Sequence, residues 1–191
     1  MVSDIVLAGM REGWRAVRAA GFEPVLIGGI AIQKHGRIRQ TKDADFLALL
    51  EEADFERVFR EAEAVGLRRD PKRPILRLGE DVILRLLYED PKFGIEVRVD
   101  VIRAGTGFLR AVVERAEATD VFGLSLKIAT CEDLILLKLL AGRAIDRADA
   151  ADLVGLNRDR LDWGYLRDRA RELNLESDLA DTERESEEDL A

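Results

Sequence analysis

The chain has 191 residues with 47% hydrophobic and 36% charged content, enough apolar side chain for a real core, which excludes a disordered protein as the default. Its formal net charge of −8 is unevenly spread: Glu176–Ala191 carries eight acids and one base, which leaves about −1 for everything before it. A single cysteine, Cys131, excludes an intramolecular disulfide and suits a reducing compartment; with no membrane-length apolar run and no signal-peptide pattern, the expectation is a cytoplasmic protein with no membrane partner.

Along Asp4–Ala20, the residues Ile5, Val6, Leu7, Met10, Trp14 and Val17 recur at helical spacing, and Gly21 ends the run. Pro24–Ile27 reads as a short buried strand broken by Gly28-Gly29, with a helix over Ile30–His35. A basic loop, Gly36–Lys42, leads to a strand over Ala44–Leu50, and Asp54–Val65 returns to helical period. The middle reads as an antiparallel meander: Ile75–Leu78 and Val82–Tyr88 around Gly79-Glu80-Asp81, then Ile95–Ile102 after the turn Asp90–Gly94. Phe108–Ala118 is amphipathic, and Val121–Leu124 and Leu126–Ala129 look like short strands. Thr130 and Asp133 have capping-box spacing before the apolar run Leu134–Leu140. Further helices are expected near Ile145–Leu153 and Asp162–Leu173.

This order predicts an α+β (mixed α/β) fold, a small mixed sheet flanked by helices with a helical C-terminal region. The expected organisation is a core over residues 1–129, a helical region over 130–175 and an acidic, disordered tail over 176–191.

The chemistry concentrates between Ile27 and Leu50. Residues two apart on a strand share a face, so Asp43 and Asp45 would be neighbours. Adjacent carboxylates repel, and a divalent cation is the obvious compensation; oxygen-only ligands favour magnesium, with manganese as a substitute. In Gly94–Val101 the alternation puts Ile95, Val97, Val99 and Val101 toward the core and Glu96, Arg98 and Asp100 on the other face, which makes Asp100 a candidate third ligand. Gly28-Gly29 at a strand-to-helix junction would let backbone N–H groups approach a phosphate, with Lys34, Arg37, Arg39 and Lys42 as charge balance.

Gly28-Gly29-Ile30-Ala31, Gly36, Arg39, Thr41, Asp43 and Asp45 resemble the signature of the nucleotidyltransferase (DNA polymerase β-like) superfamily: a Gly-Gly helix start, about a dozen residues, then Asp-x-Asp on a strand. The resemblance implies Gly28, Gly29, Arg39 and Thr41 at the triphosphate. It also implies Asp43, Asp45 and Asp100 as magnesium ligands, with Asp100 assisting deprotonation of an acceptor hydroxyl. Glu132–Leu139, Gly142-Arg143, Asp146 and Asp149 resemble the helical part of AbiEii-type abortive-infection toxins and their relatives, which implies that Lys138 and Asp149 join the nucleotide site.

For Lys138 the competing reading is a lysine reaching to solvent from a Leu-rich helix; for Asp146 and Asp149 it is ordinary surface ion pairing. The function implied is magnesium-dependent transfer of a nucleoside monophosphate from a nucleoside triphosphate to an acceptor hydroxyl. The acceptor is tRNA or a protein side chain in a toxin-like role, with an antitoxin partner, or a small hydroxylated compound as in aminoglycoside-modifying enzymes. A non-catalytic nucleotide-binding module is the third reading.

Overall fold

Eight strands form one mixed sheet in the computed structural model, which describes residues 2–188. The strands are β1 (Val25–Ile27), β2 (Asp43–Ala48), β3 (Leu67–Arg69), β4 (Ile75–Leu78), β5 (Asp81–Glu89), β6 (Glu96–Arg103), β7 (Glu117–Val121) and β8 (Leu124–Ile128). Their order is β3-β5-β6-β2-β1-β8-β7, with β4 also pairing with β5. β2 runs parallel to β6, and β1 runs parallel to β8 and antiparallel to β2. The helices are α1 (Asp4–Ala19), α2 (Gly28–Lys34), α3 (Phe55–Ala64), α4 (Gly107–Arg115), α5 (Cys131–Ala141), α6 (Ala144–Asn157), α7 (Trp163–Leu173) and α8 (Glu176–Glu188). This is the mixed α/β architecture expected from the sequence, and no described helix is long and apolar enough to cross a membrane.

The chain divides into two compact units. The first holds the sheet with α1, α3 and α4 and runs to Ile30 and from Arg39 to Ala129. Its core is the sheet face built from Ala44, Phe46, Leu84, Leu86, Val97, Val99 and Val101, all buried. α1 lies so close to this face that a β-carbon on Gly13 would come within 2.5 Å of Val99 and 3.0 Å of Phe46. The alternation of β6 therefore works as read, except that Ile95 lies ahead of the strand and is half exposed.

Several boundaries differ from the sequence reading for local reasons; the helix expected over Phe108–Ala118 ends at Arg115, and Glu117 and Ala118 belong to β7. α2 begins at Gly28 itself, because Gly28 (φ +68°) turns the chain directly from β1 into the helix. The segment expected as a strand over Val121–Leu124 is instead a hairpin turn. Phe122 (φ 51°) and Gly123 (φ 80°) both take left-handed backbone, as a two-residue hairpin loop requires, and β7 lies before them. Strand β3 has no alternation to reveal it; it exists through pairing with β5.

The second unit comprises Ala31–Ile38 and the chain from Thr130 onward. α5 is apolar on nearly every face, as a central helix should be, and starts with Thr130 accepting from the Asp133 N–H. Gly142 (φ 65°) ends it in left-handed backbone. The expected disordered tail is corrected here: Glu176–Glu188 is helix α8. Leu175, Leu179, Thr182 and Ser186 recur on one helical face and are buried, so this helix is packed along that stripe. Hydropathy missed this stripe because half of it is hydroxylated. Those hydroxyls are satisfied locally, Thr182 Oγ1 donating to the Asp178 carbonyl and Ser186 Oγ to the Glu183 carbonyl, both at 2.8 Å. The last three residues of the expected tail lie outside the described residues.

Candidate active site

The sheet face opposite α1 carries the acidic residues. Asp45 on β2 is the register partner of Asp100 on the parallel strand β6, and Asp43 is the partner of Arg98. On the other side of β6, Arg85 of β5 stands opposite Asp100. Asp43, Asp45, Arg98, Asp100 and Arg85 therefore share one face across three strands.

Each aspartate is held differently. Asp100 is nearly buried; Arg85 Nε donates to its Oδ1 at 3.1 Å and Arg85 Nη2 to its Oδ2 at 3.2 Å, a two-pronged pair. Burial pushes the Asp100 carboxyl above its ordinary range, against the hydrogen bonds and charge of Arg85 and the charge of Arg98. Asp43 accepts from Arg98 Nη2 at 2.6 Å and from Thr41 Oγ1 at 3.1 Å. Arg98 Nε also lies 3.3 Å from Asp100 Oδ2, so this one guanidinium bridges two of the three carboxylates.

Gly28 and Gly29 pack against the same residues. A β-carbon on Gly28 would meet the Asp45 carboxylate at 2.1 Å, and one on Gly29 would meet Thr41 Oγ1 at 2.5 Å. The Arg39 guanidinium is beside Gly29, 3.3 Å from that same position, and donates to the Gln40 carbonyl at 2.8 Å. The glycine pair thus has a structural reason of its own: β1 pairs with β2, with Ile27 opposite Asp45, and the turn that follows must clear Asp45 and Thr41.

As ligands for a hard divalent cation, Asp43 and Asp45 have the right chemistry, two carboxylates on one strand face. Arg85 already donates to both oxygens of Asp100, so a cation there would share that carboxylate with a guanidinium. Among the described residues, no three acidic, histidine or cysteine side chains converge to hold a metal ion. The sequence reading noticed Arg98 on this face but missed Arg85. Its signal was an arginine inside the apolar run Val82–Leu87, where a charge demands a partner.

Lys138 and Asp149 belong to the second unit, in a separate ion cluster. Lys138 Nζ is 2.9 Å from Asp146 Oδ1 and 2.9 Å from Asp149 Oδ2, with the lysine side chain 8% exposed and both aspartates fully buried. Arg143 donates to Asp146, and Arg37 reaches Asp149 at 3.5 Å and Asp152 at 2.5 Å. Burial raises the Asp146 pKa, but hydrogen bonds from Arg143 and Lys138 together with their charges overcome it and leave the carboxyl below its ordinary value. Lys138 therefore does not reach to solvent, and Asp146 and Asp149 are not surface pairs. Cys131, at the start of α5, is a buried thiol pushed up to about 12 by desolvation, which keeps it protonated and unreactive.

An Asp-x-Asp strand parallel to a strand bearing a third aspartate, with a Gly-Gly turn opening the neighbouring helix, defines a nucleotidyltransferase-like fold. Two solved structures share that fold. A protein assigned as a nucleotidyltransferase from Thermotoga maritima is 11% identical, with a TM-score of 0.54 over 78% of this chain and 91% of the other. An antigenic nucleotidyltransferase-like protein from Paracoccidioides brasiliensis is 12% identical, with a TM-score of 0.59 over 95% of this chain and 93% of the other. At these identities the likeness is one of fold. No protein-family model matches the chain, and no curated protein matches it.

Proposed function

We propose that the protein transfers a nucleoside monophosphate from a nucleoside triphosphate to an acceptor hydroxyl. The observation that carries this reading is the placement of Asp43, Asp45 and Asp100 side by side on one face of a nucleotidyltransferase-like sheet, against the Gly28-Gly29 turn. In the reaction the acceptor oxygen attacks the α-phosphorus, the bond to the bridging oxygen breaks, and pyrophosphate leaves with its electron pair. Backbone N–H groups of Gly28 and Gly29, with the Arg39 guanidinium, would bind the triphosphate. Thr41 would orient Asp43 through its hydroxyl.

Asp43 and Asp45 would hold magnesium or manganese, whose chemistry is to neutralise charge on the phosphates. Asp100 would accept the hydroxyl proton; burial makes its carboxylate a better base, and the Arg85 pair fixes its orientation. Lys138 and Asp149 take a different role from the one the AbiEii resemblance implies. With two carboxylates already on its ammonium, Lys138 would anchor α5 to α6 rather than meet phosphate.

Of the acceptor classes, a small hydroxylated compound is favoured over tRNA. The chain before Glu176 carries a net charge of only about −1, without the strong basic field that RNA phosphates favour. The test is pyrophosphate release with magnesium and each nucleoside triphosphate, in parallel with pooled tRNA and with a panel of polyhydroxylated amines. Release that depends on a small acceptor supports this choice; release that depends on tRNA returns the toxin-like reading to first place. Nucleotide binding without release in any arm would favour the non-catalytic module.

A further inference from the structure

Three carboxylates share one sheet face, and the guanidiniums of Arg85 and Arg98 pair with two of them, Asp100 and Asp43. The two guanidiniums are not equivalent. Arg85 is 18% exposed and two-pronged on Asp100, so its planar fork is fixed by the strand behind it. Arg98 is 43% exposed and straddles a gap, with Nη2 on Asp43 and Nε near Asp100. An exposed pair has water to replace either partner, and a long side chain gains rotamer freedom on release. Arg98 is thus the group on this face that can leave at low cost.

We infer that Arg98 is an exchangeable internal counter-cation of the carboxylate face, so that Arg98 and a divalent cation compete for Asp43. The inference rests on the reading of Asp43 and Asp45 as the metal-binding pair. Before a cation enters, Arg98 keeps Asp43 and Asp100 from repelling each other. When one enters, Arg98 swings off Asp43, and its guanidinium is released at the mouth of the site, where a triphosphate would bring new negative charge. Arg85 stays on Asp100 throughout.

The test is manganese binding in the absence of nucleotide, read from the free-ion signal by electron paramagnetic resonance. It compares the unaltered protein with Arg98→Gln, Arg98→Lys and an Asp43→Asn/Asp45→Asn double variant. Removing a competing exposed pair should tighten manganese binding about threefold to fivefold in Arg98→Gln. Arg98→Lys, which keeps the charge, should bind as the unaltered protein does, and the double variant should lose binding.

Equal or weaker binding in Arg98→Gln, with loss in the double variant, overturns the competition while leaving the proposed function standing. If neither the unaltered protein nor Arg98→Gln takes up manganese at millimolar concentration, the inference and the metal reading both fail. A measurement that needs no variant guards against misfolding: the Arg98 Nε–H resonance should move when magnesium is added. An unmoved resonance under saturating metal overturns the inference.

Discussion

Two ion clusters in this protein use the same side chains and are built for opposite purposes. In the second unit, Lys138, Asp146 and Asp149 are removed from water, with Arg143 donating to the other Asp146 oxygen and the Arg37 Nε at 3.5 Å from the other Asp149 oxygen. In the first unit, Asp43 and Arg98 remain partly in water, and only Asp100 with Arg85 approaches the burial of the other cluster. Desolvation makes the difference. A buried pair is costly to make and more costly to break, so it holds one geometry; an exposed pair is worth little and can be exchanged for a ligand. Charge alone in a sequence does not say which kind of cluster it will form.

The largest effect expected from this contrast is at Lys138. Replacing it with methionine leaves two buried carboxylates facing each other and should cost about 3–5 kcal/mol of stability in urea unfolding. A loss within about 1 kcal/mol would mean the cluster is hydrated and the contrast is false. Gly28→Ala should come next, at about 1–3 kcal/mol, since it combines left-handed backbone with a methyl group driven into Asp45. An unchanged unfolding midpoint would show that the β1–α2 turn is not packed against Asp45.

A gentler probe of the buried cluster is acid. The Asp146 carboxyl titrates below its ordinary value in the folded protein, so its contribution is fully present above the unfolded pKa of about 4 and is lost as pH falls through the lowered folded value. Stability should therefore decline below about pH 4, and Asp146→Asn should flatten that part of the profile. A profile unchanged by the substitution would remove Asp146 from the account. The smallest effect is expected at Arg98: Arg98→Gln should shift stability by less than about 1 kcal/mol, since one exposed pair is lost. A loss as large as that of Lys138→Met would make Arg98 a fixed brace instead of an exchangeable one.

Much of this could be read from residue order. The periodicities of α1 and α3, the capped apolar run of α5 and the meander β4–β5–β6 follow from local pattern, and the strand alternation around Asp100 gave its face correctly. The Gly-Gly to Asp-x-Asp order pointed to the fold that the solved structures share. What escaped depends on partners distant in sequence. Arg85 meets Asp100 through register across a hairpin, and β3 exists only in its pairing with β5. The face of α8 hid behind its acids because two of its buried positions are Thr182 and Ser186. Nor did residue order show that the glycine pair packs against Asp45 and Thr41 of the chain itself.

The central claim is that the Asp43/Asp45 pair carries nucleotidyl transfer. Its most direct test is incubation with magnesium, α-labelled nucleoside triphosphates and mixed acceptors, comparing the unaltered protein with the Asp43→Asn/Asp45→Asn double variant after both are shown to be folded. The account predicts label on an acceptor with the unaltered protein and a loss of at least about a hundredfold in the variant, as expected when charge stabilisation at the reacting phosphates is removed. Equal labelling by the two proteins would contradict it.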